Sequence, residues 1–264
     1  MNLFYKHVRF VTSVIQVPRS KLDILFNDDR YVAVNKPAGL ASIPGRGDVD
    51  SVLSVLAEQL GLPWSGTADP RLRVVHRLDK ETSGVLLFAK DVAAQRHVSH
   101  QFQNNQTAKE YLALVAGRPG ESRGTIEAAL ARHPTSAVRM AVVRHGGRNA
   151  RTDWQIESQF RDYTLLRVFP KTGKTHQIRV HLRHVGMPLA IDPLYNAPSS
   201  GLFLSRFKRG YRPSGEGERA LIDRLTLHGE KLKFIHLDGR EVEIVAPVPK
   251  DFRAVVNMLS KHGR

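Results

Sequence analysis

Apolar residues fall along this chain in short runs, most of them five residues or fewer, set between turn formers. Leu22-Asp23-Ile24-Leu25-Phe26 and Tyr31-Val32-Ala33-Val34-Asn35 flank the turn at 27–30, a hairpin signal. Lys36-Pro37-Ala38-Gly39 stops the second run, because Pro cannot continue a central ladder and Gly permits the bend. Residues 72–75 and 85–89 read as buried strands on either side of a polar segment. Residues 107–117 are a strand by β-branched and aromatic content. Alternation puts Lys109, Tyr111 and Ala113 on one face and Glu110, Leu112 and Leu114 on the other. Further strands are expected at 124–130, 138–143, 152–157, 163–169, 225–228, 232–235 and 242–247.

Helical spacing is sparser. Val52, Leu53, Val55, Leu56 and Leu60 recur behind Asp50 and Ser51 as candidate caps, and Gly61, Pro63 and Gly66 end that helix. Asp91 opens a second helix that carries Val92, Val98 and Phe102 and ends at Asn104-Asn105. In a third, Thr175 is a candidate N-cap and Gly186 a stop. Ile178, Leu182 and Val185 form its apolar stripe, with His176, Arg179 and Arg183 as a basic stripe beside it. A fourth helix, 250–259, turns Phe252, Val255, Val256 and Leu259 inward. Many strands with few, dispersed helices predict an α+β fold: a mixed, mostly antiparallel sheet flanked by helices and loops. Residues 1–20 read as an N-terminal arm and 21–264 as one domain. Residues 197–220, rich in Ser, Gly, Pro, Lys and Arg, read as an exposed insertion.

Charge narrows the partner. Forty Lys plus Arg against twenty-five Asp plus Glu give a formal charge of +15 over 264 residues. Such an excess repels itself and calls for a polyanion, nucleic acid before an anionic membrane surface. Seven of the basic groups (Arg132, His133, Arg139, Arg144, His145, Arg148 and Arg151) are interleaved among the predicted strands without an intervening acid, a pattern that suits phosphates or a merely solvated face. No stretch approaches the roughly 20 apolar residues of a membrane span. The first 18 residues lack the pattern of a secretory signal. With no cysteine, disulfides and thiolate metal sites are ruled out, and a reducing cytoplasm is the expected setting.

The polar segment between the runs at 72–75 and 85–89 carries the chemistry. Arg77, Asp79, Lys80 and Glu81 crowd a loop pinned by two core strands, a rigid mount that can face substrate. On spacing alone Asp79 is equally an ordinary turn residue, with Thr82 and Ser83 as companions. The string His76-Arg77-Leu78-Asp79-Lys80-Glu81-Thr82-Ser83-Gly84 closely resembles the central motif of the RluA-type pseudouridine synthases, which isomerise uridine in RNA. Two more strings resemble that family's motifs in the same order: Lys-x-Tyr-Leu-Ala-Leu-Val at 109–115 and Lys-Thr-Gly-x-Thr-His-Gln-Ile-Arg-Val-His-Leu at 171–182. The opening at 22–40 and the tail are similar too, so the resemblance covers about residues 21–260. It departs at Lys174 and Ile191, where Arg and Gly are usual, and mildly at Asn196 for Gly.

The resemblance implies that Asp79 is catalytic, that Tyr111 lies against the target uracil, and that Arg179 pairs with Asp79. It implies a pseudouridine synthase catalytic domain at 21–264 without a preceding RNA-binding module. A carboxylate beside a guanidinium can act as a covalent nucleophile, with attack at the sugar or at the base both open. The base must be flipped out of its stack, and Arg77, on the same face of an extended segment as Asp79, could fill the vacated space or simply hold phosphate. His76, Arg77, Lys174, His176 and Arg183 are the expected RNA contacts. The reaction needs no redox cofactor and no metal; His176, His181 and His184 share a helix but do not gather at ligand spacing. A glycosidase would want two flanking carboxylates, and Glu81 and Glu110 read better as partners of Lys80 and Lys109. The expectation is a cytoplasmic, monomeric RNA isomerase acting on ribosomal RNA more readily than transfer RNA, with no protein partner. The alternative is a non-catalytic RNA-binding or ribosome-assembly protein on the same fold.

Overall fold

The computed structural model describes residues 21–45, 50–64, 71–196, 201–208, 210–212 and 217–263. The expected arm at 1–20, the stop at Gly66 and part of the 197–220 insertion lie outside the described residues. Among those described, eleven strands make one sheet. They are β1 (Asp23–Asn27), β2 (Tyr31–Lys36), β3 (Arg73–Val74), β4 (Ser83–Ala89), β5 (Ala108–Ala116), β6 (Arg123–Arg132), β7 (Met140–Val143), β8 (Arg148–Gln159), β9 (Tyr163–Pro170), β10 (Leu227–Ile235) and β11 (Glu241–Val245). The order is β1-β2-β4-β10-β5-β9-β8-β6-β7, with β11 added to β10 and β3 to β4. Only the β4–β10 pair is parallel, joining His228 to Ser83 and Gly229 to Gly84; the other pairs are antiparallel. The sheet is thus mixed and mostly antiparallel, and the fold is α+β.

Helices cover both faces of this sheet's centre. All seven residues of β4 are buried, which is why its sequence reads as a nearly unbroken apolar run. Strand alternation splits them. Val85, Leu87 and Ala89 pack with Ala94 and Val98 of α2 (Val92–Gln103); Leu86 and Phe88 pack with Val52, Leu53 and Leu56 of α1 (Val52–Leu60). The same rule divides β5. Ala113 and Val115 meet Ile178 and Leu182 of α3 (Gln177–His184), while Leu112 and Leu114 meet Phe252, Val255 and Leu259 of α4 (Lys250–His262). Tyr111 touches the clusters under both α1 and α3 and so marks the seam between them.

The helix ends follow local chemistry. Ser51 accepts the Ser54 amide and Ser54 returns the bond to the Ser51 amide, a capping box. Asp91 accepts from the Ala94 amide at 2.9 Å. Several expectations need correction. The strands expected at 225–228 and 232–235 are one strand, β10, with a register shift between Gly229 and Lys231 that lets two apolar stretches of opposite phase continue a single ladder. The run at 72–75 pairs over only two residues, Arg73 and Val74. Val185 is 45% exposed, because the helix has already ended and Gly186 turns the chain with φ of 79°. The described part of the expected insertion is not all surface: Leu202 and Phe207 are buried beside α4.

Candidate active site

The segment from His76 to Thr82 is clamped from outside by groups far away in sequence. The Ser42 hydroxyl donates to the Leu78 carbonyl at 2.7 Å and accepts the Leu78 amide at 3.1 Å. The Lys80 carbonyl accepts from the Gly39 amide and from Nζ of Lys36, a fully buried lysine whose ammonium burial pulls down to a pKa of about 7. The Thr82 amide closes a turn onto the Asp79 carbonyl. Asp79 therefore sits on a backbone fixed on both sides, its side chain about one-fifth exposed to a cavity of about 510 Å³.

Arg179 reaches that cavity from the first turn of α3. It is 4% exposed. Its Nε and Nη2 donate to both oxygens of Asp192 at 2.8 and 2.7 Å, and its Nη1 donates to Oδ2 of Asp79 at 3.1 Å. Burial opposes this cation, but hydrogen bonds and charge from Asp192, then Asp79, outweigh it and raise its pKa. The Tyr195 ring lies 5.1 Å from the guanidinium carbon. One planar cation is thus held in plane by Asp192 and left with one N–H for Asp79.

His176 stands beside the pair. It precedes α3 in a left-handed conformation, φ 55°, uncommon for a residue with a side chain. The expected cap, Thr175, is exposed; the loop is organised instead by the buried Gln177 side chain, which accepts from Thr172 and the Lys174 amide and donates to Thr152 and the Arg151 carbonyl. Tyr195 Oη accepts the Met140 amide at 2.7 Å and lies 2.7 Å from His176 Nδ1. Nε2 of the same ring lies 3.9 Å from Oδ2 of Asp79. Burial lowers the His176 pKa and favours the neutral imidazole.

Tyr111 lines the same cavity from β5, its phenol proton retained because burial and then the Asp79 charge push its pKa up. The floor beneath it depends on glycine. A Cβ on Gly229 would stand 3.2 Å from the Tyr111 ring, and one on Gly84, whose φ is +130°, would stand 2.1 Å from the Gly229 carbonyl oxygen. Only bare backbones can make this parallel contact under the ring.

Of the expected RNA contacts, Arg77, Lys174, His176 and His76 line the cavity. His76 does so as a neutral ring. It accepts the Leu87 amide at Nε2, stacks on Phe102 at 4.5 Å, and is held by burial at a pKa of about 3. Arg183, one helical turn beyond Arg179, is exposed and not among the cavity residues. The expected Glu110–Lys109 pair is a correction, since the two side chains leave β5 on opposite faces. Glu110 joins Glu157 and Glu230 around Arg167 on the far face, with Lys231 at 3.5 Å. Asp192 and Tyr195, between the departures at Ile191 and Asn196, are site residues the motifs alone do not single out; their Asp-x-x-Tyr spacing is the available signal. Ser42 gave none. Among the described residues no His, Cys, Asp and Glu cluster could hold a metal ion.

Comparison with known proteins gives a consistent picture. The family model described as RNA pseudouridylate synthase matches residues 30–184. The ribosomal large subunit pseudouridine synthase D of Xanthomonas campestris pv. campestris is 37% identical over 241 residues, covering 90% of this chain and 69% of that protein. An uncharacterized RNA pseudouridine synthase of Chloroflexus aurantiacus is 41% identical over 228 residues, covering 85% of this chain and 65% of that one. The structure of human RNA pseudouridylate synthase domain containing 1 superposes with a TM-score of 0.67 at 26% identity, over 88% of this chain and 85% of that one.

Proposed function

This chain belongs to the RluA-type RNA pseudouridine synthases, isomerases that convert uridine to pseudouridine in RNA, and from that premise we propose that Asp79 is its nucleophile and ribosomal RNA its substrate. The observation that carries the site assignment is one carboxylate and one aromatic ring facing a single cavity, with a buried guanidinium fixed against the carboxylate. The family resemblance of the three motifs supports the same residues. Relatives named for the ribosomal large subunit support ribosomal over transfer RNA.

In this reading the uridine leaves its stack and enters the cavity, its uracil against Tyr111. The carboxylate of Asp79 forms the covalent intermediate while Arg179 keeps it in place through the single Nη1 bond, Asp192 preventing the guanidinium from swinging away. The N1–C1′ bond breaks, the freed base turns, C5 bonds to C1′ and the carboxylate is released, while the C5 hydrogen leaves as a proton to solvent and N1 takes one up, so atoms and charge balance. Tyr111 keeps its phenol proton, so it serves as a surface and a hydrogen-bond donor rather than as a base. Arg77, exposed at the cavity's edge, is placed to meet the RNA that the flipped nucleotide leaves. We read the protein as a monomer in the cytoplasm, in keeping with its self-repelling charge and lack of cysteine.

Tritium release from RNA labelled at uridine C5 tests the assignment. Asp79→Asn is expected to abolish release while RNA retention on a filter changes less than about threefold, because the substitution is isosteric. Release at the wild-type rate would remove Asp79 from the mechanism and favour a purely RNA-binding role.

A further inference from the structure

Lys109 is left over by everything above. It leaves β5 on the Tyr111 face, two residues before that ring, and lines the same cavity half-buried. Its ammonium has no hydrogen-bond or ion-pair partner among the described residues, a lack it shares with Lys174 of the same cavity, whereas Lys36 is engaged by two carbonyls, Arg179 by two carboxylates and Arg167 by three. Nζ stands against a residue without a side chain, since a Cβ placed on Gly173 would lie 4.0 Å from it. Lys171 and Lys174 from the same loop add their charge. The cavity is consequently divided: Asp79, Arg179 and His176 occupy one end, and Lys109 and Lys174, neither with a carboxylate partner among the described residues, occupy the other, while Lys171 stays outside the lining, paired with Asp153 at 3.5 Å.

An unpaired ammonium held out of water beside two like charges is costly unless an anion arrives. Burial, then Lys174 and Lys171, bring its pKa down to about 8. RNA supplies one anion per nucleotide. Two residues of strand span about 6.8 Å, comparable to the reach from a nucleotide's phosphate to its base. With the uracil on Tyr111, the flipped nucleotide's own phosphodiester falls toward Lys109.

Resting on the pseudouridine synthase reading, we propose that Lys109 is the anchor for the phosphodiester of the flipped nucleotide, with Lys174 completing a cationic subsite around Gly173. The subsite holds the backbone while the base turns, so a freed uracil can rotate without the sugar drifting from Asp79. It is a binding and positioning role, expressed in KM and salt dependence more than in kcat.

The test compares wild type, Lys109→Met and Lys109→Arg by filter binding of an unmodified ribosomal RNA transcript across a KCl series, with tritium release measured in parallel. Lys109→Met is expected to weaken binding and raise KM about tenfold. It should also flatten the slope of log affinity against log salt by about 0.7, one contact on unstacked RNA. Lys109→Arg should restore the slope. Between pH 7 and 9 wild-type affinity should fall as the ammonium is lost, while His76 stays neutral and Tyr111 keeps its proton; Lys171, Lys174, Asp79 and His176, the remaining charged or titratable groups around it, are common to the Arg variant, which should stay flat. An unaltered salt slope in Lys109→Met, or a slope that Lys109→Arg does not restore, overturns the subsite. Absence of tritium release by wild type would instead overturn the catalytic reading, and the salt slopes would still decide for or against the anchor.

Discussion

At the scale of single residues, the carboxylate and guanidinium of the candidate site are held by partners fixed in the fold: Arg179 by Asp192, and Asp79 by Arg179. Two buried histidines show the opposite arrangement. His76 accepts the Leu87 amide, and His228 accepts from Ser83 and faces the Ala246 carbonyl; burial holds them at pKa values of about 3 and about 4. Both values lie below the ordinary 6.5, so the unfolded chain takes up protons first. Their contribution is complete above pH 6.5 and is lost as pH falls toward 4, by about 1.4 kcal/mol per histidine per pH unit. Urea midpoints at pH 7, 6 and 5 should therefore decline. His228→Asn, which keeps an acceptor for Ser83, should decline less steeply, the remaining slope coming from His76, His176 and His181, which burial also lowers; an equal decline would exclude His228 as a source. Residues of this kind also mark how far the sequence could be read. Asp79, Tyr111 and Arg179 were legible because each lies in a string of recognisable neighbours. The clamps on them were not, because Ser42 meets Leu78 only through a fold that brings together positions 36 apart.

At the scale of elements, local chemistry announced most of what forms. Ser51 and Gly61 bracket α1, Asp91 opens α2, and the alternation in β5 correctly separated Tyr111 from Leu112. What local patterns could not announce is pairing. The parallel junction of β4 with β10 joins segments 145 residues apart at His228 and Ser83, and the two glycines there carry no periodicity of their own. Their substitution separates stability from function. Gly84→Ala would drive a methyl into the Gly229 backbone at a φ closed to side chains, and should destabilise the fold by about 3 kcal/mol or more. Gly229→Ala meets only the Tyr111 ring at 3.2 Å. It should keep most of the melting temperature while tilting the ring and raising KM severalfold in the tritium assay. Equal thermal losses in the two variants would contradict this account of the junction.

At the scale of the whole molecule, the surplus of +15 is unevenly answered. Arg151 is neutralised by Glu127 and Asp153, but Arg132, Arg139, Arg144 and Arg148 around β7 have no ion pair among the described residues. That strand also gives its Met140 amide to Tyr195, whose hydroxyl meets His176 of the cavity wall, so two side chains connect the basic edge to the cavity. Replacing these four arginines by Gln should cut RNA affinity at least tenfold at low salt and reduce the salt slope by about 0.7 to 0.9 for each arginine that meets a phosphate. The melting temperature should hardly move, since exposed charges contribute little to stability. Unchanged RNA affinity would make this edge a solubilising surface and nothing more. The glutamates gathered around Arg167 on the far side of β5 have a consequence of their own. Three carboxylates there meet two cations, Arg167 and Lys231, so the patch is left with one negative charge while Lys109 and Lys174 face the cavity unpaired, and charge of opposite sign lies across β5 as a dipole. In the field of a polyanion a dipole feels torque as well as attraction, so the molecule is turned before it touches and reaches its target mouth first.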